Sequence, residues 1–237
     1  MQSNHNYMFC FSCKYFDRSP VKQTIDSILT HHPDEKIVIV DSMSGDKSYY
    51  QMFSNYDNVD ILDNCNPYRV PGAFYQTVKK YPNEPYYVNL QDSLILKKSW
   101  QKFIDDPSEF ISLAYFHEMI HSEDSPQYKY LKEVFSGTGY NVPNSGNSSS
   151  ACFGPVYIIK NSLAKKFYDS GVLTNMKSTC KMHDEMGERI FGYLAMVEGF
   201  DPSQHNMEGD IISRWNEMVN DQMHYYTKIF CSMLGRT

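Results

Sequence analysis

Two segments of the chain place a carboxylate and hydroxyl side chains directly after a strand-like run. Asp41 and Ser42 follow the run 36–40, and Asp92 follows the run 86–90. A carboxylate in such a place can accept hydrogen bonds from a base or a ribose, and a second one can hold a divalent cation on a diphosphate. Because ligands of open α/β sheets bind beyond the carboxyl ends of the strands, these residues are the first candidates for a binding site.

A second pattern is that of a zinc protease. His117, Glu118 and His121 match H-E-x-x-H, in which two histidines on one helix face bind zinc and the glutamate activates water. The preceding residues 110–116 are rich in strand formers, and residues 122–126 would end a helix about one turn after the second histidine. A zinc metalloprotease is therefore the weaker reading of this sequence.

A third group of candidates opens a regular helical pattern in the second half of the chain. Asp184 and Glu185 stand in the first turn of a helix expected over Asp184–Val197. Acids there complement the helix dipole, and a carboxylate is also the usual general base for deprotonating a hydroxyl. Glu188 and Arg189, one turn further on, have the spacing of a structural ion pair.

The elements that must position these residues alternate between strands and helices. The predicted strands are Tyr7–Cys13, Lys36–Val40, Val59–Leu62, Tyr86–Leu90, Phe110–Phe116 and Phe153–Ile159. The predicted helices are Pro20–His31, Asp46–Phe53, Pro71–Tyr81, Ser99–Ile104, Ser162–Asp169, Asp184–Val197 and an amphipathic last helix Arg214–Leu234. This order predicts the α/β class, with a mostly parallel central sheet flanked by helices in one domain over residues 1–237.

Composition excludes several classes of function. With 22 basic and 28 acidic residues the formal net charge is −6, which disfavours nucleic acid as a partner. No apolar run approaches the roughly 20 residues that span a bilayer, and residues 1–6 lack the features of a secretory signal, so we expect a cytoplasmic protein. The fingerprints G-x-G-x-x-G after the first strand and G-x-x-x-x-G-K-[ST] are absent, which disfavours dinucleotide and P-loop nucleotide folds.

The order of elements and two of their motifs resemble a known family. The segments KIVIVDSMSGD at 36–46 and YYVNLQDS at 86–93, with a helix carrying Gly72 and Ala73 between them, resemble the GT-A glycosyltransferases of the family 2 type. The similarity covers about residues 7–95 well and the remainder in outline. The composition, rich in Tyr and Asn, also resembles glycosyltransferase domains of large DNA viruses.

This resemblance implies a nucleotide-sugar-binding half at about residues 1–95 and an acceptor-binding half at about 96–237. It places the nucleoside at Asp41 and the metal-binding D-x-D element at residues 91–93, where one carboxylate remains. The metal would be Mn²⁺ or Mg²⁺, held by Asp92 and His205. The residues expected to bind the donor are Ser12, Asp41, Ser42, Arg69, Gln91, Asp92 and Ser93.

The implied activity is transfer of a sugar from a nucleotide-diphosphate sugar, with a UDP-sugar favoured, to a hydroxyl of a glycan or glycoconjugate. We expect an inverting, metal-assisted reaction with Asp184 as the first candidate for the base and Glu185 as the second. The polar segment Ser136–Ser150 is expected to be a mobile loop that folds over the donor. A non-catalytic nucleotide- or sugar-binding relative of the fold stays the main alternative, ahead of a zinc metalloprotease.

Overall fold

The central sheet of this computed structural model is built around apolar strands that are buried on both faces. The structure describes residues 7–16, 19–63, 68–106 and 108–230. The strands are β1 (Met8–Cys13), β2 (Lys36–Asp41), β3 (Val59–Leu62), β4 (Tyr86–Gln91), β5 (Leu94–Leu96), β6 (Phe110–Ser112), β7 (Tyr115–Met119), β8 (Ser148–Cys152), β9 (Tyr157–Lys160) and β10 (Tyr226–Lys228). The helices are α1 (Val21–His31), α2 (Arg69–Lys80), α3 (Gln101–Ile104), α4 (Pro126–Phe135), α5 (Asn161–Asp169), α6 (Val172–Asn175), α7 (Lys181–Val197) and α8 (Trp215–Val219), and a 3₁₀ helix covers Ser48–Phe53.

The main sheet has six strands in the order β3-β2-β1-β4-β9-β6. The first four strands are parallel, and β9 runs antiparallel to both of its neighbours. The prediction of an α/β fold with a mostly parallel central sheet is confirmed. In the described part of the chain, no helix is long and apolar enough to cross a bilayer.

Alternating side chains of the sheet enter two separate hydrophobic layers. Along β1, Met8 and Cys10 pack into the layer that contains α2 and α7, whereas Phe9 and Phe11 pack into the layer that contains α1. Because both faces of these strands are buried, charged or hydrogen-bonding side chains that meet a ligand are placed at the ends of the strands.

The predicted last helix, Arg214–Leu234, is wrong over most of its described length. Helix α8 ends at Val219, Asp221 adopts a left-handed φ of 57°, and β10 follows; residues 231–234 lie outside the described residues. The carboxylate of the buried Glu208 accepts a hydrogen bond from the backbone N–H of Tyr225 at 2.5 Å. This long-range contact and the pairing of β10 with β5 override the local helical periodicity.

Two further predictions on the second half need correction. The predicted strand Phe110–Phe116 is divided at Leu113 and Ala114 into β6, which belongs to the main sheet, and β7, which pairs with β8. Residues 148–152 form β8, although the sequence predicts a polar loop as far as residue 150, and the next strand starts at 157 instead of 153. Small polar residues such as these become a strand only because β7 offers a pairing partner.

The H-E-x-x-H segment does not form a zinc-binding helix. His117 and Glu118 lie on β7, where neighbouring side chains point to opposite faces, and His121 follows the end of this strand, with its Nε2 3.5 Å from Glu118 Oε1. Glu118 instead pairs with Arg189 at 2.5 Å, so Arg189 has this partner in place of the predicted Glu188. The chemistry of a zinc protease is therefore excluded at this segment.

Helix α7 approaches β8 unusually closely at Gly192. A Cβ added to Gly192 would lie 2.1 Å from the carbonyl oxygen of Ser150 and 2.8 Å from the Cα of Ala151, both backbone atoms. In the same helix, a Cβ added to Gly187 would lie 3.7 Å from the nearest atom, Cγ of Pro71, which is an ordinary contact. Gly192 therefore sets the distance between α7 and the β7–β8 pair.

This contrast predicts opposite effects of the same substitution at two sites of one helix. Gly192→Ala is expected to lower the free energy of unfolding by about 3 kcal/mol, which is roughly 6 to 12 °C in Tm, because backbone must move to admit the methyl group. Gly187→Ala is expected to be neutral or stabilising by up to about 1 kcal/mol, since alanine favours the helix. Thermal unfolding of both variants measures the difference, and equal effects would contradict the close approach.

Candidate functional site

Parallel pairing brings three of the predicted donor-binding residues to one edge of the main sheet. In the register of the strands, Cys13 lies beside Asp41, and Ser12 lies beside Gln91. The backbone N–H of Ser42 continues this edge by donating to the carbonyl of Cys13 at 2.7 Å. Neighbouring strands are about 4.8 Å apart, so Ser12, Asp41 and Gln91 form a row about 10 Å wide.

Asp41 is fully buried at the end of β2, and its carboxylate organises the loop that follows. Oδ1 accepts a hydrogen bond from the backbone N–H of Ser44 at 3.0 Å, and Oδ2 accepts one from the hydroxyl of Tyr49 at 2.8 Å. Burial raises the pKa of Tyr49 well above its usual value, and nearby Cys13 and Asp41 raise it further, so this phenol stays a hydrogen-bond donor.

Tyr15, which the sequence analysis did not single out, completes the surroundings of Asp41. Its ring stacks on the ring of Tyr49 with centroids 4.7 Å apart, and its backbone N–H donates to Ser44 Oγ at 2.8 Å. The ring is half-buried at the same sheet edge as Asp41. The sequence signal that could have identified Tyr15 is an aromatic residue two positions after β1, because that position lies near the edge where the strands end.

Lys228 of β10 lies over the turn that joins β4 to β5. Its ammonium donates hydrogen bonds to Gln91 Oε1 and to Ser93 Oγ, the second at 2.8 Å. Asp92, between these two, is buried, and its carbonyl accepts a hydrogen bond from Thr24 Oγ1 at 3.0 Å. The predicted D-x-D position is therefore a turn with one carboxylate and an ammonium from a residue far along the chain. The sequence did not indicate this ammonium, because Lys228 was part of the incorrectly predicted C-terminal helix.

Backbone hydrogen bonds on both sides fix the position of Lys228. In the antiparallel pair of β5 and β10, the N–H of Ile229 donates to the carbonyl of Ser93 at 2.9 Å. At the other end of the pair, the N–H of Lys97 donates to the carbonyl of Tyr225 at 3.0 Å. The ammonium is thus held over the turn by the strand that carries it.

Glu188 of α7 approaches the same turn through Gly154. Its Oε1 accepts a hydrogen bond from the backbone N–H of Gly154 at 3.1 Å, and a Cβ added to Gly154 would lie 3.2 Å from Nε2 of Gln91. Burial raises the pKa of Glu188 to about 7, against the opposing effects of Arg189, the Gly154 amide and Lys228. A carboxyl group that titrates near neutral pH next to a candidate binding turn is suited to accept or donate a proton.

The two carboxylates predicted as bases are engaged in other contacts. Both oxygens of Asp184 accept hydrogen bonds, Oδ2 from Arg69 and Oδ1 from the hydroxyl of Ser178. Arg69, predicted to bind the donor, therefore ties the start of α2 to the first turn of α7. The side chain of Glu185 is 51% exposed and pairs with Lys181 at 3.5 Å.

His205, predicted as a metal ligand, lies away from the turn. Its carbonyl accepts a hydrogen bond from the N–H of Ser112 at 2.9 Å, and its Nδ1 is 3.0 Å from Ser108 Oγ. This segment borders the outer side of β6, and β9 lies between β6 and β4, so about 14 Å separates it from β4. The structure does not bring His205 to Asp92.

The polar loop that was expected to cover the donor is docked elsewhere. The hydroxyl of Tyr140 donates to Glu198 Oε1 at 2.8 Å, and the hydroxyl of Tyr128 donates to the carbonyl of Pro143 at 3.1 Å. Glu198 follows the last residue of α7, about 15 Å along the helix from Glu188. Tyr140 therefore lies at the end of α7 that is away from Glu188.

Comparison with solved structures identifies the fold. The chain is similar to S. aureus TarS 1–349 in complex with UDP, at 16% identity over 77% of this chain and 54% of that chain, with a TM-score of 0.45. It is also similar to GalNAc-T7 with UDP, GalNAc and Mn²⁺, at 13% identity over 79% of this chain and 40% of that chain, with a TM-score of 0.52. This chain has a GT-A fold.

The comparisons go no further than the fold. No protein family and no curated protein matches the sequence. The matched region covers about half or less of the length of TarS and of GalNAc-T7. The GT-A fold inferred from the strand order and from the segments after β2 and β4 is confirmed.

The turn at residues 91–93 does not suit the Mn²⁺ or Mg²⁺ that the sequence resemblance implies. Such cations take oxygen ligands with carboxylates among them, and the turn offers a single carboxylate, that of Asp92. The side-chain oxygens of Gln91 and Ser93 accept hydrogen bonds from Lys228, whose positive charge repels a divalent cation. Over the ranges that the structure describes, no three His, Cys, Asp or Glu side chains are grouped to hold a metal ion.

The raised pKa of Glu188 predicts that the folded state loses stability as the pH rises. Its pKa is 4.5 in the absence of perturbation and about 7 in the folded chain, so folding takes up a proton between these values. Glu188→Gln removes the charge and keeps an oxygen that can accept from Gly154. The variant should therefore be more stable than the native chain at pH 8, by an amount on the order of 2 kcal/mol, and nearly equal to it at pH 5.

Thermal unfolding of both proteins at the two pH values measures this effect. Glu185→Gln is the matched control, because that side chain is exposed and one turn away from the same position on α7. A gain in Tm that is the same at pH 5 and pH 8 would contradict the raised pKa.

Proposed function

We propose that this chain is a glycosyltransferase that moves a sugar from a UDP-sugar to a hydroxyl group of a glycan or glycoconjugate. One observation carries the proposal: along the carboxyl edge of a GT-A fold lie a buried carboxylate, Asp41, an ammonium, Lys228, and a carboxyl group with a pKa of about 7, Glu188. The presence of UDP and GalNAc in GalNAc-T7, which has this fold, supports a UDP-sugar as the donor.

The donor is proposed to lie across the ends of β2, β1 and β4. The carboxylate of Asp41, with Tyr15 beside it, suits a uracil base, because a carboxylate accepts a hydrogen bond from an N–H and an aromatic ring stacks on a base. The diphosphate then extends past Ser12 toward the turn at residues 91–93. Ser12 lies beside Gln91 in the strand register, which supports this path.

Glu188 is proposed to accept the proton of the attacking hydroxyl, in preference to Asp184 and Glu185. In the reaction the acceptor oxygen forms a bond to C1 of the sugar, the bond from C1 to the diphosphate breaks, and the hydroxyl proton passes to the carboxylate. Because this is one displacement, the configuration at C1 inverts. The contacts of Glu188 near the turn support this role, whereas Asp184 is held by Arg69 and Ser178.

Binding of UDP is the first test of the proposed donor site. UDP at about 100 times its dissociation constant should stabilise the chain by about 2.7 kcal/mol, and GDP and CMP at the same concentration should stabilise it less. Tyr15→Ala should raise the Kd of UDP about tenfold or more, since stacking on a base contributes about 1–3 kcal/mol. Thermal shift followed by calorimetric titration measures both quantities.

Tyr75→Ala is the matched control for Tyr15→Ala. Tyr75 is also stacked on another tyrosine, Tyr168, with centroids 5.2 Å apart, but it lies in the second half of α2. Its substitution should leave the Kd of UDP unchanged. Failure of UDP to bind the native chain, or equal binding of GDP, would refute the proposed donor.

The proposed base predicts a distinct kinetic pattern. Glu188→Gln should lower kcat by about 10²- to 10⁴-fold with the Kd of UDP retained, and kcat of the native chain should rise with pH through about 7, where the carboxyl loses its proton. Release of UDP from a panel of UDP-sugars with candidate acceptors measures the rate, and the anomeric configuration of the product is read by NMR. Glu185→Gln should behave as the native chain.

Two outcomes would change this assignment. Full activity of Glu188→Gln together with an inactive Asp184→Asn would move the base to Asp184. Retention of configuration at C1 would refute the single displacement.

A further inference from the structure

The turn after β4 holds a positive charge at the position where the GT-A resemblance implies a metal ion. Lys228 donates hydrogen bonds to Gln91 Oε1 and Ser93 Oγ, the first and last residues of the three-residue segment. Both of these hydrogen bonds go to neutral side-chain oxygens. The cation belongs to the chain itself and is held there by the pairing of β10 with β5.

We propose that Lys228 does the work of a divalent cation: its ammonium binds the diphosphate of the donor and stabilises it as it leaves. The inference rests on the proposed glycosyl transfer and adds to it the group that assists departure of UDP, with no metal ion required. An ammonium has three donors, so it can exchange the neutral oxygens of Gln91 and Ser93 for the charged oxygens of a phosphate.

The charge balance of the reaction calls for such a group. When the bond between C1 and the diphosphate oxygen breaks, its electron pair stays on the diphosphate, which gains one negative charge. The acceptor hydroxyl supplies the new bond to C1 and gives its proton to Glu188. A fixed positive charge at the leaving oxygens stabilises this transition state, because it requires no reorganisation as the charge develops.

The surroundings of β10 make Lys228 a preorganised group. Tyr226, two residues earlier, is fully buried, and the N–H of Tyr225 donates to the buried carboxylate of Glu208 at 2.5 Å. Arg214 pairs with the same carboxylate at 2.9 Å. The strand that carries the ammonium is therefore anchored in the core on the side away from the turn.

The test measures UDP affinity of the full chain by calorimetric titration in EDTA and in Mn²⁺. We expect the native Kd to be the same in both media within twofold. Lys228→Met should raise the Kd more than tenfold, and Mn²⁺ should not restore it. Lys228→Arg, which keeps the charge and the donors, should stay within about tenfold of the native Kd.

Lys98→Met is the matched control for the loss of one positive charge. Lys98 is exposed, and it lies two residues beyond the end of β5 and five residues from Ser93. The variant should bind UDP as the native chain does. Should Lys228→Met fail to fold, Lys228→Gln replaces it, because an amide can still donate a hydrogen bond to Ser93.

A double variant tests the exchange of ammonium for metal directly. Gln91→Asp combined with Lys228→Met puts a second carboxylate in the turn and removes the competing charge. UDP binding by this variant should be weak in EDTA and should strengthen at least tenfold in Mn²⁺, in contrast to the native chain.

The outcomes separate this inference from the proposed function. Native binding of UDP that is lost in EDTA and restored by Mn²⁺ would overturn the role of Lys228 and leave the donor site in place. A native Kd for a folded Lys228→Met or Lys228→Gln would overturn it as well. Absence of UDP binding in every medium would instead overturn the proposed function.

Discussion

The structure depends first on the parallel register of β2, β1 and β4. These strands are buried on both faces, and a shift of one residue would send every side chain of a strand into the opposite hydrophobic layer. The register is therefore strongly determined, and the strands must end at one edge. Ser12, Asp41 and Gln91 reach that edge together because the core permits no other alignment.

The position of α7 is the second constraint, and it connects the core to the candidate chemistry. Its backbone approaches β8 so closely at Gly192 that no side chain fits between them. Its first turn is bound to the start of α2 through Asp184 and Arg69. With the first turn and the Gly192 region of the helix fixed in this way, Glu188, which lies between them, is held beside Gly154, within reach of the turn after β4.

The candidate site contains two carboxyl groups that are withdrawn from solvent in different surroundings. Asp41 is fully buried and stays compatible with the fold because the Ser44 amide and the Tyr49 hydroxyl satisfy its oxygens. Glu188 accepts a hydrogen bond from the Gly154 amide, and burial raises its pKa to about 7, so its charged form destabilises the fold above that pH. A carboxyl group whose pKa is raised in this way beside a candidate binding turn is typical of a proton-transfer group.

The sequence by itself determined the elements and the positions where they end. Periodicity of apolar residues encodes β1 to β4, α1 and α7, and the polar residues Asp41 and Asp92 follow the strand ends. The order of these elements and the segments around Asp41 and Asp92 resemble the GT-A glycosyltransferases, and the fold that this resemblance implies is confirmed. Tertiary structure alone decided which distant residues join that edge. Lys228 donates a hydrogen bond to Gln91, which lies 137 positions earlier in the chain. His205 lies beyond β6, and the first residues of the H-E-x-x-H segment form part of a strand. The physical reason is that local periodicity reports the burial of a segment, whereas the pairing of β10 with β5 and of β7 with β8 depends on partners that are remote in the chain.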